Sequence, residues 1–206
     1  MIQIHYEGRF GNQLLQYAHA VADSIESGEG IQNPMDTKIV QYDKIIDEND
    51  IREQRGYCQS PETVEKLSRN RLKIFPEISE KEGVFVHLRM GDIEYRGGCR
   101  PTVVYYKEAL KQSGQTRGFI SSDSPRHSDV CSLMEEFGLE KFEAGEEETI
   151  LFGSQFKNKI LSLGTFSWWI GFLGSQNNVI CPKWTNYDIW HGDIFCVENW
   201  NVLDIK

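Results

Sequence analysis

The chain has 206 residues, with 22 Lys+Arg against 31 Asp+Glu for a formal charge of −9, which bounds it to one large domain or two small ones. Hydrophobic residues at 39% and aromatic residues at 12% exclude disorder as the main state, and both halves are acidic, which excludes the basic surplus of a nucleic-acid binder. The longest apolar run, Phe166 to Gly174, is nine residues against the roughly 20 needed to cross a bilayer. The opening MIQIHYEG lacks a basic-then-apolar leader, so a cytoplasmic location without a membrane span is expected. Cys58, Cys99, Cys131, Cys181 and Cys196 form no C-x-x-C pair, which argues against a zinc site and a disulfide framework and fits a reducing compartment.

The first predicted element is a short buried strand, Ile2 to Tyr6, followed by a GRFG turn and a helix from about Gln13 to Ser27. Leu14, Leu15, Ala18, Val21, Ala22 and Ile25 recur there at helical spacing. A strand at Lys38 to Tyr42 and a helix opened by Ser60-Pro61-Glu62 follow, the serine as cap and the proline in the first turn. Charge and Pro76 interrupt the pattern between Phe75 and Gly83, which marks a boundary between domains 1–82 and 83–206.

Beyond the boundary strands and helices alternate. The expected order is strand Val84 to Arg89, helix Thr102 to Gln112, strand Gly118 to Ser122, then helices Ser128 to Phe137 and Glu147 to Phe156. Strand Lys159 to Leu163, helix Phe166 to Leu173 and strand Val179 to Cys181 complete it. This is the pattern of an α/β fold with a parallel sheet covered on both faces, which binds ligands at the carboxyl ends of its strands.

The polar residues at those ends are the candidates. GRFGNQ (Gly8 to Gln13) sets Gly8 and Gly11 around a strand-to-helix turn with Asn12 as a cap. It reads either as an anion-binding helix start or as an ordinary glycine turn, and it matches neither standard phosphate fingerprint. In VFVHLRMGD, His87 and Arg89 share one strand face. An always-charged, fork-shaped donor at a strand end suits a diphosphate, while an Arg89–Asp92 salt bridge is the structural alternative and a hydrogen-bonded core histidine the alternative for His87. Asp123 in SSDS suits a ribose hydroxyl or a purine edge, or else Asp123 or Ser124 caps a helix. Thr165 and Ser167 begin a helix where hydroxyls and N–H groups converge, and Trp168 and Trp169 read as core with sugar stacking as the other option. No Asp-x-Asp occurs for a Mg²⁺-held nucleotide sugar, and no G-x-S-x-G or Cys/His signature supports nucleophilic hydrolysis.

In this order the segments resemble the α-1,2-fucosyltransferases of glycosyltransferase family eleven, within the wider group of α-1,2, α-1,6 and protein O-fucosyltransferases. GRFGNQLLQYA is similar to their G-x-[LF]-G-N-Q-x-x-Q-Y-A, VFVHLRMGD to their H-x-R-x-G-D, and LSLGTFSWWIGFLG to their S-x-[ST]-F-S-W-W helix; SSD, VICPKW and the closing ENW complete the likeness. The resemblance implies a GT-B architecture with a reduced N-terminal, acceptor-side domain, GDP-L-fucose as donor, a glycan acceptor, inversion at the anomeric carbon, and no required metal or other cofactor. By motif it assigns Arg89 to the β-phosphate, His87 and Asp123 to the nucleoside, and Thr165, Phe166 and Ser167 to the phosphates, with Gly11 and Asn12 across the cleft. Arg89, Asn12 and Asp92 are the implied catalytic residues, and Asp92, Glu94 and His19 the candidates for a general base. Two features depart from the family pattern: the chain is short before Gly83, and Met90 stands where a second basic residue is frequent. A transferase for another nucleotide sugar and a non-catalytic nucleotide- or glycan-binding module are the rival expectations.

Overall fold

The computed structural model describes residues 1–43, 50–91, 100–183 and 192–204, and the chain divides into two compact units. One comprises Met1–Glu77 with Trp190–Cys196, the other Ile78–Ile189 with Val197–Lys206. Among the described residues no helix is long and apolar enough to cross a membrane.

In the first unit, β1 (Ile2–Ile4) leads through Gly8 into α1 (Phe10–Ser27), which starts three residues before the expected position. The N-cap is Arg9, whose side chain makes no capping bond, and the N–H of Asn12 already donates to Arg9 O at 2.9 Å. Asn12 is therefore inside the first turn and is not the cap. Leu14, Leu15, Ala18, Val21 and Ala22 bury the inner stripe of α1 completely. β2 (Arg52–Gln54) pairs with β1 in parallel, α2 (Pro61–Arg69) begins as expected at Ser60, whose Oγ accepts the Thr63 N–H, and α3 (Arg71–Ile74) follows. The expected strand at Lys38 to Tyr42 is irregular chain: Ile39 and Val40 are buried there without a strand partner among the described residues. Burial, and not pairing, explains their apolarity.

The second unit is an all-parallel sheet of β3 (Lys81–Leu88), β4 (Gly118–Ser122), β5 (Leu139–Lys141), β6 (Phe156–Ile160), β7 (Asn178–Pro182) and β8 (Asn201–Leu203), in the order β5-β4-β3-β6-β7-β8. The chain builds outward from β3 through β4 to β5, then returns to the other side of β3, so strand order reverses between β3 and β6. Helices α4 (Val103–Ser113), α5 (Ser128–Phe137), α6 (Glu146–Ser154) and α7 (Thr165–Phe172) make the connections. Val84, Val86 and Leu88 of β3 pack with Tyr105, Tyr106, Ala109 and Leu110 of α4 and Val130 and Leu133 of α5. Phe85 instead joins an aromatic cluster with Phe119, Phe142, Phe152 and Phe156. Gly153 of α6 is required there, since a Cβ on it would come within 2.6 Å of the Phe85 ring. β6 begins three residues before the expected strand because Phe156 and Asn158 of the polar run FKNKI are buried pairing positions.

Candidate anion-binding site at the strand-order reversal

β3 and β6 are neighbours, with Val86 opposite Ile160, so the chain leaving both strands emerges at the same place. Beyond β3 come Arg89, Met90 and Gly91; beyond β6 residues 161–164 lead into α7. A Cβ built on Gly164 would lie 2.3 Å from Arg89 Nη1 and 3.5 Å from Cζ, so the guanidinium rests directly on the Cα of Gly164. The glycine has φ 103° and ψ 161°, a conformation essentially closed to other residues, and its carbonyl accepts the first intrahelical bond of α7 from Trp168 N–H at 3.0 Å. The N–H groups of Thr165, Phe166 and Ser167 precede that bond, so they carry the positive end of the helix. The guanidinium and the N-terminal end of the helix thus lie together at the reversal point of the sheet, where open α/β sheets bind ligands.

His87 lies beside this pair, only 6% exposed. Its Nδ1 is 3.1 Å from Ser167 Oγ, and the Phe166 ring stacks on the imidazole with centroids 5.0 Å apart and planes inclined by 28°. Ser167 Oγ also accepts the Ser162 N–H at 2.7 Å. Burial pulls the imidazole down to about 4; Asp123 opposes that shift and Arg89 adds to it. His87 is consequently neutral at pH 7, and it is a hydrogen-bonded buried residue as well as a neighbour of the positive centre.

Asp123 extends from the adjacent strand, where His87 pairs with Ser121 and Leu88 with Ser122. Its Oδ1 accepts the Met90 N–H at 2.8 Å and its Oδ2 the Gly91 N–H at 3.1 Å, so the carboxylate grips the backbone on either side of the turn that follows Arg89. It does not cap α5: that role belongs to His127, whose Nδ1 accepts the Asp129 N–H at 3.2 Å, which also removes the capping alternative for Ser124. Met90, at the departure from the family pattern, is buried in the core with Arg100 Nη1 3.0 Å from its sulfur. Asp92 and Glu94, and with them the Arg89–Asp92 pair, lie outside the described residues.

Six of the candidates, His87, Arg89, Asp123, Thr165, Phe166 and Ser167, are thus gathered in the second unit; Gly11 and Asn12 belong to the first. Gly11 is buried in α1, and Asn12 Oδ1 accepts from Gln59 Nε2 at 3.1 Å while its Nδ2 lies where a Cβ on Gly8 would be. His19 has Nδ1 3.2 Å from Thr63 Oγ1 and Nε2 3.8 Å from Asp23, a carboxylate that also meets Arg52 and Lys66. Burial lowers the His19 pKa against the pull of Asp23. Trp168 and Trp169 are fully buried, as core residues. Two residues that shape the site were not singled out from sequence: Gly164, signalled by a glycine immediately before a Thr-x-Ser helix start, and Ser162, which carries no signal because it acts through its backbone. No protein-family model, curated protein or solved structure matches the chain.

Proposed function

We propose that the chain is an inverting glycosyltransferase of the GT-B class that transfers L-fucose from GDP-L-fucose to a hydroxyl of a glycan, with α-1,2 linkage. The reading is carried by one observation, the Arg89 guanidinium seated on Gly164 at the start of α7, beside His87, where strand order reverses. The likeness of GRFGNQ, HLRMGD and GTFSWW to the fucosyltransferase motifs supplies the sugar and the nucleotide. Arg89 takes the β-phosphate, the N–H groups of Thr165, Phe166 and Ser167 receive the remaining phosphate oxygens, and His87 and Asp123 meet the nucleoside. The first unit, with Gly11 and Asn12, serves the acceptor.

Catalysis on this reading is electrostatic. As the bond between fucose and phosphate loosens toward an oxocarbenium-like transition state, negative charge grows on GDP, and Arg89 and the helix terminus stabilise it. The acceptor hydroxyl attacks the opposite face of the sugar and loses its proton to a base, for which Asp92 is the proposed group. Mixing the chain with GDP-fucose, GDP-mannose and UDP-sugars over a glycan panel tests this: fucosyl transfer from GDP-fucose alone is expected. Absence of GDP binding by calorimetry refutes the reading, and tight GDP binding with no transfer to any glycan replaces it with a nucleotide-binding module.

A further inference from the structure

Ser167 is fully buried, and its hydroxyl carries one proton and two lone pairs. One lone pair is committed to the Ser162 N–H at 2.7 Å, a backbone donor at a residue that is itself fully buried. The second contact is His87 Nδ1 at 3.1 Å, and among the described residues the hydroxyl has no further hydrogen-bond partner. Two arrangements satisfy the distance. If Nδ1 carried the imidazole proton it would donate to Oγ, and the serine proton would be stranded in the interior. If Ser167 donates to a bare Nδ1, every group in the trio is satisfied. Stranding a buried donor biases the balance roughly tenfold or more toward the second arrangement.

We infer that Ser167 is a positioning residue that locks His87 as the Nε2–H tautomer, so that the site offers a ligand one fixed, uncharged N–H and accepts only a ligand atom that can receive it. The low proton affinity of the buried imidazole agrees with this, since a protonated ring would need a proton on Nδ1 as well and would force the Ser167 hydroxyl to turn; Asp123 and Arg89 are the charged groups acting on the ring. Phe166 stacks on the imidazole and fixes its plane, which fixes the direction of the Nε2–H bond. Nε2 has no hydrogen-bond partner among the described residues, and although His87 as a whole is only 6% exposed, that atom is not sealed from solvent. A reachable donor held in one direction with no protein acceptor is completed by a carbonyl, hydroxyl or phosphate oxygen of a ligand. The tautomer assignment stands on geometry alone; only the identification of that ligand as GDP rests on the donor-site reading.

Two-bond proton–nitrogen correlation spectra of the ¹⁵N-histidine-labelled chain at pH 7 test the lock, with the His87 signals identified by their loss in His87→Gln. A pyridine-type shift at Nδ1 and a pyrrole-type shift at Nε2 are expected; the reverse pattern, or shifts averaged between the two, overturns the assignment. Ser167→Ala should produce averaged shifts and Ser167→Thr should restore the fixed pattern. If the alanine variant fails to fold, the wild-type spectrum still decides. Calorimetry with GDP separates the two ideas: a locked tautomer in a chain that does not bind GDP refutes the donor site and leaves the lock intact, whereas GDP binding by a chain with averaged shifts refutes the lock alone. Ser167→Ala is expected to weaken GDP about tenfold, and unchanged affinity in a folded variant with averaged shifts removes the positioning role.

Discussion

Gly164→Ala probes the proposed donor site through a residue whose own side chain contributes nothing to it. The new methyl would lie 2.3 Å from Arg89 Nη1, where non-bonded carbon and nitrogen ordinarily approach no closer than about 3.5 Å, so the guanidinium must withdraw by about 1 Å. Arginine is long and jointed, so the withdrawal itself costs little; the expense falls on the backbone, because φ 103° with ψ 161° is strained for alanine by about 1–3 kcal/mol. For a chain of this length that lowers Tm by roughly 2–12 °C. The functional effect should be larger than the stability effect suggests: a displacement of about 1 Å at a charged contact weakens GDP binding or slows transfer about 100-fold. Calorimetry and thermal unfolding followed by circular dichroism measure the two separately. In an Arg89→Ala background the glycine substitution should still lower Tm but leave GDP affinity unchanged, since the group it displaces is gone. A folded Gly164→Ala variant that binds GDP as the parent does would refute the coupling between this glycine and the anion site.

Arg89→Ala should lower transfer by about 10²–10³-fold, and Arg89→Lys should fail to restore it because a point charge lacks the fork that meets two phosphate oxygens; steady-state rates with GDP-fucose decide. Stability should fall on acidification: His87 titrates near 4 when folded but near 6.5 unfolded, so the unfolded chain alone takes up this proton between those values. The contribution is complete above about pH 6.5 and is lost as pH falls toward 4, a change of about 3 kcal/mol that urea titrations should register and His87→Gln should abolish. Asp123→Ala should cost about 1 kcal/mol, since the side chain is exposed and only one of its two hydrogen bonds is partly buried, yet should weaken GDP binding by freeing the turn after Arg89. Asp23→Asn should destabilise the first unit by about 1–3 kcal/mol, because the carboxylate, raised by burial but lowered further by Lys66, His19 and Arg52, balances those groups; urea midpoints of the variant measure it.

The alternation of strands and helices after Gly83 was legible because buried parallel strands write apolar runs, as in Val84 to Leu88, and their covering helices place apolar residues at helical spacing, as Val130 and Leu133 do in α5. What escaped was polar or short. β2 reads Arg-Glu-Gln and exposes all but Gln54, β5 buries only Leu139, and β8 leaves Asn201 and Val202 exposed, so none carries a hydrophobic period. Ile39 and Val40 misled in the opposite sense, apolar because they are buried and not because they pair. At the site, Arg89 and His87 could be singled out by charge and strand position, but Gly164, which acts through an absent side chain, and Ser162, which acts through its N–H, could not. Asp123 was singled out, but its hold on two backbone donors is encoded by no residue pattern.

On the proposed reading, these partners explain how an acidic chain of charge −9 can still present oriented donors to an anion at one point. Three neighbours of β3, namely β4, the chain after β6 and α7, each contribute a restraint. From β4, Asp123 holds the N–H groups of Met90 and Gly91; from beyond β6, Gly164 seats the guanidinium; from α7, Ser167 and Phe166 fix the imidazole. Because strand order reverses between β3 and β6, the restrained groups lie where open α/β sheets bind ligands. A diphosphate reaching them would meet donors already oriented, so little ordering entropy would be spent on binding and the local attraction could outweigh the repulsion of the whole chain. It follows that Asp123, Gly164 and Ser167 should be sensitive to substitution along with Arg89, Gly164→Ala by about 100-fold and Ser167→Ala by about tenfold, because each holds other atoms of the site in position.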